Sequence, residues 1–187
     1  MRVIAGTYRS RKLKGPGKLR LRPTSDRLRE TLFNILGPSI QDSLFVDLYA
    51  GTGAIGIEAV SRGARLAILV EAHQATARLT CENLESLGIR GSAEVIRADA
   101  IQALDKLAAR HLMADFVFLD PPYKDADEHL KVLEYLDTAH LVAPYGLVIV
   151  EHHHKTELPG RFTRLERTRL LEQGDAAVSF YSLAAAA

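Results

Sequence analysis

The sequence predicts an α/β fold with a mostly parallel sheet that finishes in an antiparallel hairpin, and three observations predict it. Short apolar runs alternate with helical stretches through the middle of the chain, a glycine-rich turn follows the first run, and the last two runs have no helix between them. The strands are expected at 44–48, 66–70, 93–96, 116–119 and 147–150, and the hairpin at 162–170 and 176–183 around Gly174. Helices are expected at 54–62, 74–87, 101–110 and 127–136, with Gly63 and Gly88 as C-terminal stops. Regular strand-helix alternation implies a parallel sheet covered on both faces, seven strands in all.

Ahead of this core, Pro23-Thr24-Ser25-Asp26 reads as a helix start. Leu28, Leu32, Ile35 and Leu36 then recur at helical spacing until Gly37-Pro38 ends the run, and Asp26 is a candidate to satisfy the helix N-terminus. The expected organisation is one domain over 1–187: a basic arm and helix at 1–37, a Rossmann-like core at 38–183 and a tail at 184–187.

The 187 residues, 47% of them hydrophobic, suffice for one sizeable core. The single Cys81 excludes an internal disulfide and is expected to be a small buried side chain. No run approaches the roughly 18 apolar residues of a membrane span. The N-terminus has no secretory pattern, so a cytoplasmic protein is expected.

A net charge of +1 hides a segregation. Residues 1–30 carry ten Lys or Arg against two acids, a net of +8, and the rest of the chain carries −7. A basic arm on an acidic body fits a surface that meets a polyanion, because neutralising phosphates releases counterions. A solvated, disordered tail has the same composition.

The segment Asp47-Leu48-Tyr49-Ala50-Gly51-Thr52-Gly53-Ala54-Ile55-Gly56 contains G-x-G-x-x-G, which taken alone is a weak signal. Asp47, just before the glycines, would repel a pyrophosphate but attract the amino group of a methionine moiety. That points to S-adenosyl-L-methionine rather than a nicotinamide cofactor. Glu71 lies about twenty residues past the first glycine, where an acid can accept hydrogen bonds from ribose hydroxyls. Asp99, followed by Ala100, either binds the adenine amino group or caps the next helix.

The most specific feature is Asp120-Pro121-Pro122-Tyr123 at the end of the strand at 116–119. An exocyclic base amine is a poor nucleophile because its lone pair is delocalised into the ring. A carboxylate at Asp120 and the carbonyl of Pro121 can accept its two hydrogens and turn the lone pair toward a methyl donor. Pro122 has no N–H and restricts Pro121 to an extended conformation. Tyr123 offers a flat face for an extruded base. A strand-ending turn with a surface tyrosine is the structural alternative.

With these residues in place, the chain resembles the RsmD-type small-subunit (16S) ribosomal RNA guanine-N2 methyltransferases. The likeness runs through 2–6, 21–34, 47–63, Asp120-Pro121-Pro122-Tyr123 and Ser179-Phe180-Tyr181, and 21–34 is its family-specific part. Tyr49 and Thr52 stand where phenylalanine and serine are common in that family. The resemblance implies a class I S-adenosylmethionine-dependent methyltransferase fold with a basic N-terminal extension. It implies cofactor contacts at Asp47, Tyr49, Gly51, Thr52, Gly53, Glu71, Asp99 and Ala100, and catalysis at Asp120 to Tyr123. The expected partner is small-subunit rRNA or a partly assembled small subunit, gripped by Arg2, Arg9, Arg11, Lys12, Arg22, Thr24 and Arg29. A monomer without metal or membrane contact is expected.

His152-His153-His154 beside Glu151 invites a metal reading, but successive strand side chains alternate faces, so a polar strand end is expected instead. Two other functions remain. A DNA adenine-N6 methyltransferase can carry the same tetrapeptide, but such enzymes resemble a core plus a target-recognition region for which no segment is spare. An inactive RNA-binding assembly factor would use the arm alone.

Overall fold

A computed structural model of the chain describes residues 1–15, 17, 24–121 and 126–185. It divides into two units, Met1–Asp99 and Ala100–Ala187. Among the described residues the strands run 93–96, 66–70, 44–47 across the first unit and 114–119, 142–153, 176–183, 165–173 across the second, which is the mostly parallel α/β arrangement expected.

In the first unit, helix α1 (Asp26–Leu36) is capped by Ser25, whose side chain accepts from the Leu28 N–H at 3.1 Å. The expected cap, Asp26, instead pairs with Arg29 at 2.9 Å. Leu28, Leu32, Phe33 and Leu36 make the buried stripe, and Gly37 ends the helix at a φ of 54°. Strands β1 (Leu44–Asp47), β2 (Leu66–Val70) and β3 (Ala93–Ile96) are parallel, with Leu44 opposite Leu66 and Ala67 opposite Ala93. Helix α2 (Ala54–Ser61) is buried at every position. Helix α3 (Gln74–Leu87) ends at a left-handed Gly88, as the sequence predicts.

The arm is not a free tail over residues 1–14. It doubles back at Ser10, whose φ is +65°, and pairs Arg2 with Lys12 in an antiparallel bridge. Val3 and Leu13 then enter the core with Ile57, Val60, Leu84 and Leu87. The fully buried Glu58 accepts from the N–H groups of Ile4 and Ala5 at 2.8 and 3.0 Å, and from Arg62. Gly6 is obligatory, since an added Cβ would sit 1.7 Å from the Ser61 carbonyl oxygen.

In the second unit, helix α4 (Ala100–Ala109) leads to β4 (Ala114–Leu119), and helix α5 (Ala126–Thr138) to β5 (Val142–His153). Strand β5 is longer than the predicted 147–150. Its apolar run is interrupted at the start by Pro144-Tyr145-Gly146, where the register with β4 shifts, and gives way at the end to polar residues that pair with β7 (Ala176–Leu183). Strand β6 (Leu165–Gln173) begins three residues later than predicted. The buried carboxylate of Asp137 accepts from the N–H groups of Thr163, Arg164 and Leu165 at 3.1, 2.6 and 2.7 Å, which takes those amides from the sheet.

Candidate cofactor and catalytic sites

Strand β1 ends on Asp47, and Gly51 and Gly53 take left-handed φ values of 55° and 81° to turn the chain into α2. The glycines have separate duties. A Cβ at Gly53 would press within 2.8 Å of the Thr80 methyl, and one at Gly56 within 2.8 Å of Leu69, so both serve packing. A Cβ at Gly51 would meet nothing nearer than the Tyr49 carbonyl at 3.9 Å, which leaves room for a ligand against the backbone.

Beneath this turn the Asp47 carboxylate is 1% exposed, and neither oxygen has a hydrogen-bond partner. Burial pushes its pKa up to about 7, and the nearby Glu71 charge pushes the same way. The amides of Tyr49 and Gly56 oppose this, but neither is close or aligned enough to make a hydrogen bond. An orphaned buried carboxylate at a glycine loop fits a cationic ligand group such as an α-ammonium, and so fits the methionine end of S-adenosylmethionine.

Glu71 follows β2 and is tied down on both oxygens, accepting from the Gly51 N–H at 3.1 Å and the His73 N–H at 2.8 Å. Its remaining lone pairs suit a diol. Tyr49 is half-buried, Ala100 is buried at the first turn of α4, and Asp99 is exposed between β3 and α4. Thr52 is buried. Its hydroxyl faces the Met1 sulfur at 3.7 Å, and its carbonyl accepts from Asn83 at 2.9 Å.

In the second unit, Asp120 follows directly on β4 and is half-buried, with Pro121 buried beside it. This is the carboxyl end of a parallel strand, where open sheets place their ligands. Pro122 and Tyr123 lie outside the described residues, as does Arg22.

Arg2, Arg9, Arg11 and Lys12 are exposed on the arm, and Thr24 is half-buried. Arg29 requires a correction. It is 0% exposed and donates to the Arg2 carbonyl at 2.5 Å and to Asp26, so it cannot reach a phosphate. Its spacing to Phe33 and Leu36 places it on the buried stripe of α1, a position that its charge disguises. Cys81 is also corrected, since it is exposed on α3.

His152 is buried, its ring between the His153 carbonyl and the Ser179 hydroxyl at 3.0 Å each. His153 and His154 stack at 4.5 Å and come near Asp175, because His154 lies past the end of β5 where alternation no longer holds. The Lys155 N–H already occupies His153 Nδ1.

Sequence reasoning missed Thr80 and Asn83. Both are fully buried on α3, and Thr80 donates to the Gly51 carbonyl at 2.7 Å. Thr76, Thr80, Asn83 and Leu87 recur at helical spacing, and polar groups on such a stripe were the available signal.

The parallel sheet, glycine turn and acid-ended strands define a class I methyltransferase fold. A solved RNA methyltransferase from Salinibacter ruber, in complex with S-adenosyl-L-homocysteine, shares that fold at a TM-score of 0.66 and 15% identity, covering 89% of this chain and 96% of its own. The chain belongs to the family described as conserved hypothetical protein 95, whose model matches residues 1–182. The resemblance to RsmD-type enzymes holds. Ribosomal RNA small subunit methyltransferase D of Escherichia coli (strain K12) is 40% identical over 161 residues, 85% of this chain and 78% of its own. The solved structure of yhhF from Escherichia coli matches at a TM-score of 0.83 and 32% identity, covering 100% of this chain and 99% of its own. Among the described residues no helix is long and apolar enough to cross a membrane.

Proposed function

We propose that the chain is an S-adenosylmethionine-dependent methyltransferase acting on small-subunit ribosomal RNA in the cytoplasm, and that it methylates N2 of one guanine. The carrying observation is family membership over 1–182, with a relative at 40% identity named for small-subunit rRNA methylation. The orphaned Asp47 carboxylate supports the cofactor, and Asp120-Pro121-Pro122-Tyr123 supports an exocyclic amine as acceptor.

S-adenosylmethionine supplies an electrophilic methyl on a sulfonium. Asp47 would pair with its ammonium, Glu71 would accept from its ribose, and Asp99 would take the adenine amino group. At the acceptor, Asp120 and the Pro121 carbonyl would hold the amine hydrogens and free the nitrogen lone pair for attack. The bound sulfonium would supply the methyl and leave as a neutral thioether, and Asp120 or water would take the surplus amine proton. Tyr123 stacks the base, and Arg2, Arg9, Arg11, Lys12 and Arg22 meet phosphates.

The test is transfer of labelled methyl to unmodified small-subunit particles and to bare rRNA, with the product nucleoside identified. N2-methylguanosine from the wild type, reduced roughly 100-fold or more in Asp120→Ala, is the expected result. Methylated adenine in duplex DNA would favour the DNA enzyme. RNA binding with no transfer to any substrate would favour an assembly factor.

A further inference from the structure

Asn83 is fully buried between two parts of the first unit that the proposed function uses separately. Its side-chain amide nitrogen donates to the Thr52 carbonyl at 2.9 Å and to the Lys14 carbonyl at 3.2 Å, while its oxygen accepts from the Lys14 N–H at 2.8 Å. Every hydrogen-bonding direction of that amide but one lone pair is therefore spent on joining the glycine turn to the arm. Thr52 stands between the two left-handed glycines, so the direction of its carbonyl fixes the turn that shapes the cofactor loop. The Thr52 hydroxyl touches the arm as well, through the Met1 sulfur.

We propose that Asn83 is a positioning residue that couples the arm to the cofactor loop, so that RNA phosphates held on the arm's outer face tighten the binding of S-adenosylmethionine. The inference rests on the proposed function.

The arm has the construction such a device needs. Its inner side is attached by Glu58, Ser61 and Asn83; Arg9 and Lys12 are exposed on its outer side, while the exposed Arg11 and Lys14 reach the Ser86 carbonyl and Glu82 on α3. Over residues 1–14 Val3 and Leu13 are the fully buried apolar anchors, with Met1 and Tyr8 packed partly buried beside them, against fourteen residues of backbone to be ordered and a left-handed Ser10 at the bend. Ordering that backbone costs chain entropy, so a ligand that binds the docked form alone shifts the arm toward docking. A polyanion on the outer face is such a ligand, and docking presents Asn83 with the Lys14 partner that holds its amide toward Thr52. Linkage then requires that the cofactor tighten RNA by the same factor.

The experiment is calorimetric titration of S-adenosyl-L-homocysteine into the full-length chain, with and without unmodified small-subunit rRNA. Wild type, Asn83→Ala and Gly6→Ala are compared. The Gly6 variant dislodges the arm from Ser61 without touching α3. RNA is expected to lower the wild-type Kd by roughly fivefold or more, within the usual range for coupled sites. Both variants are expected to bind the nucleoside about tenfold more weakly and to lose the RNA effect, and where Asn83→Ala does not fold, Gly6→Ala decides. A wild-type Kd indifferent to RNA, or variants that keep both the wild-type Kd and its RNA response, would overturn the coupling while leaving the proposed function standing. A wild type that binds no nucleoside would overturn the proposed function itself, and the coupling with it.

Discussion

Glu71 and Gly51 are joined by a 3.1 Å hydrogen bond from the glycine N–H to a carboxylate oxygen, so the acid proposed for the ribose also holds the loop proposed for the methionine end. Removing it disturbs both ends of the cofactor at once. Glu71→Ala loses charge-assisted hydrogen bonds worth about 1.5–3 kcal/mol each, and is expected to weaken S-adenosylhomocysteine about 10–100-fold by calorimetry. Glu71→Gln keeps one acceptor and is expected to fall between. An alanine variant that binds like the wild type would remove Glu71 from the site.

Asp47 makes cofactor binding depend on pH in a direction that can be worked out. Its carboxyl is raised to about 7 by burial, so the empty chain favours the neutral form. The stability this group contributes is fully present below the usual carboxylate range and is lost as pH rises through about 7. An ammonium partner needs the charged form. Affinity is therefore expected to fall up to about tenfold per unit as pH drops below 7, and to fall again above about 8 where an α-amino group deprotonates. Asp47→Asn is expected to stabilise the empty chain by about 2–4 kcal/mol above pH 7, with no gain near pH 4, while losing the cofactor. Titrations between pH 5.5 and 8.5 check both, and a flat affinity profile would separate Asp47 from the amino group.

Most of the framework was legible because periodicity records burial. β2, β3, α3 and β7 fall on their predicted bounds, and Asp47, Glu71 and Asp120 lie at strand ends where the pattern places them. What was not legible depended on partners remote in sequence. Nothing in the run around 162 reveals that Asp137 will take three amides from the start of β6. The arm reads as a charged tail because its two apolar anchors, Val3 and Leu13, are ten residues apart and its clasp, Glu58, is on α2. Arg29 was misplaced for the same reason: a charge suggests solvent until its carbonyl and carboxylate partners are known.

Asp137 offers a stability test confined to the second unit. Its carboxylate is the acceptor for Thr163, Arg164 and Leu165, and its removal strands amides where Leu165 is fully buried. Asp137→Ala is expected to cost about 1–3 kcal/mol in urea unfolding, because the buried Leu165 donor is left unsatisfied. Cofactor affinity is expected to change less than about twofold, since Asp47, the glycine turn and Glu71 belong to the other unit. A large loss of affinity with little loss of stability would reverse that assignment.

The arm and Arg29 can be separated by salt. Each arm cation that meets a phosphate contributes roughly 0.7–0.9 to the slope of log affinity against log salt, the lower figure applying to single strands. Replacing exposed Arg9, Arg11 or Lys12 with Gln is therefore expected to lower the slope for rRNA binding by about that amount for each phosphate left without its cation, with little change in folding stability. Arg29→Met is expected to leave the slope alone. The buried guanidinium has Nε and Nη1 unpartnered, and burial lowers its pKa, so an apolar replacement of similar length removes a desolvated charge. Against that gain stand the lost bonds to the Arg2 carbonyl and to Asp26, and Arg29→Ala, which also opens a cavity, is expected to destabilise the chain by about 2 kcal/mol or more. A slope that falls in Arg29→Met while holding in the three arm variants would mean that phosphate reaches α1 and not the arm.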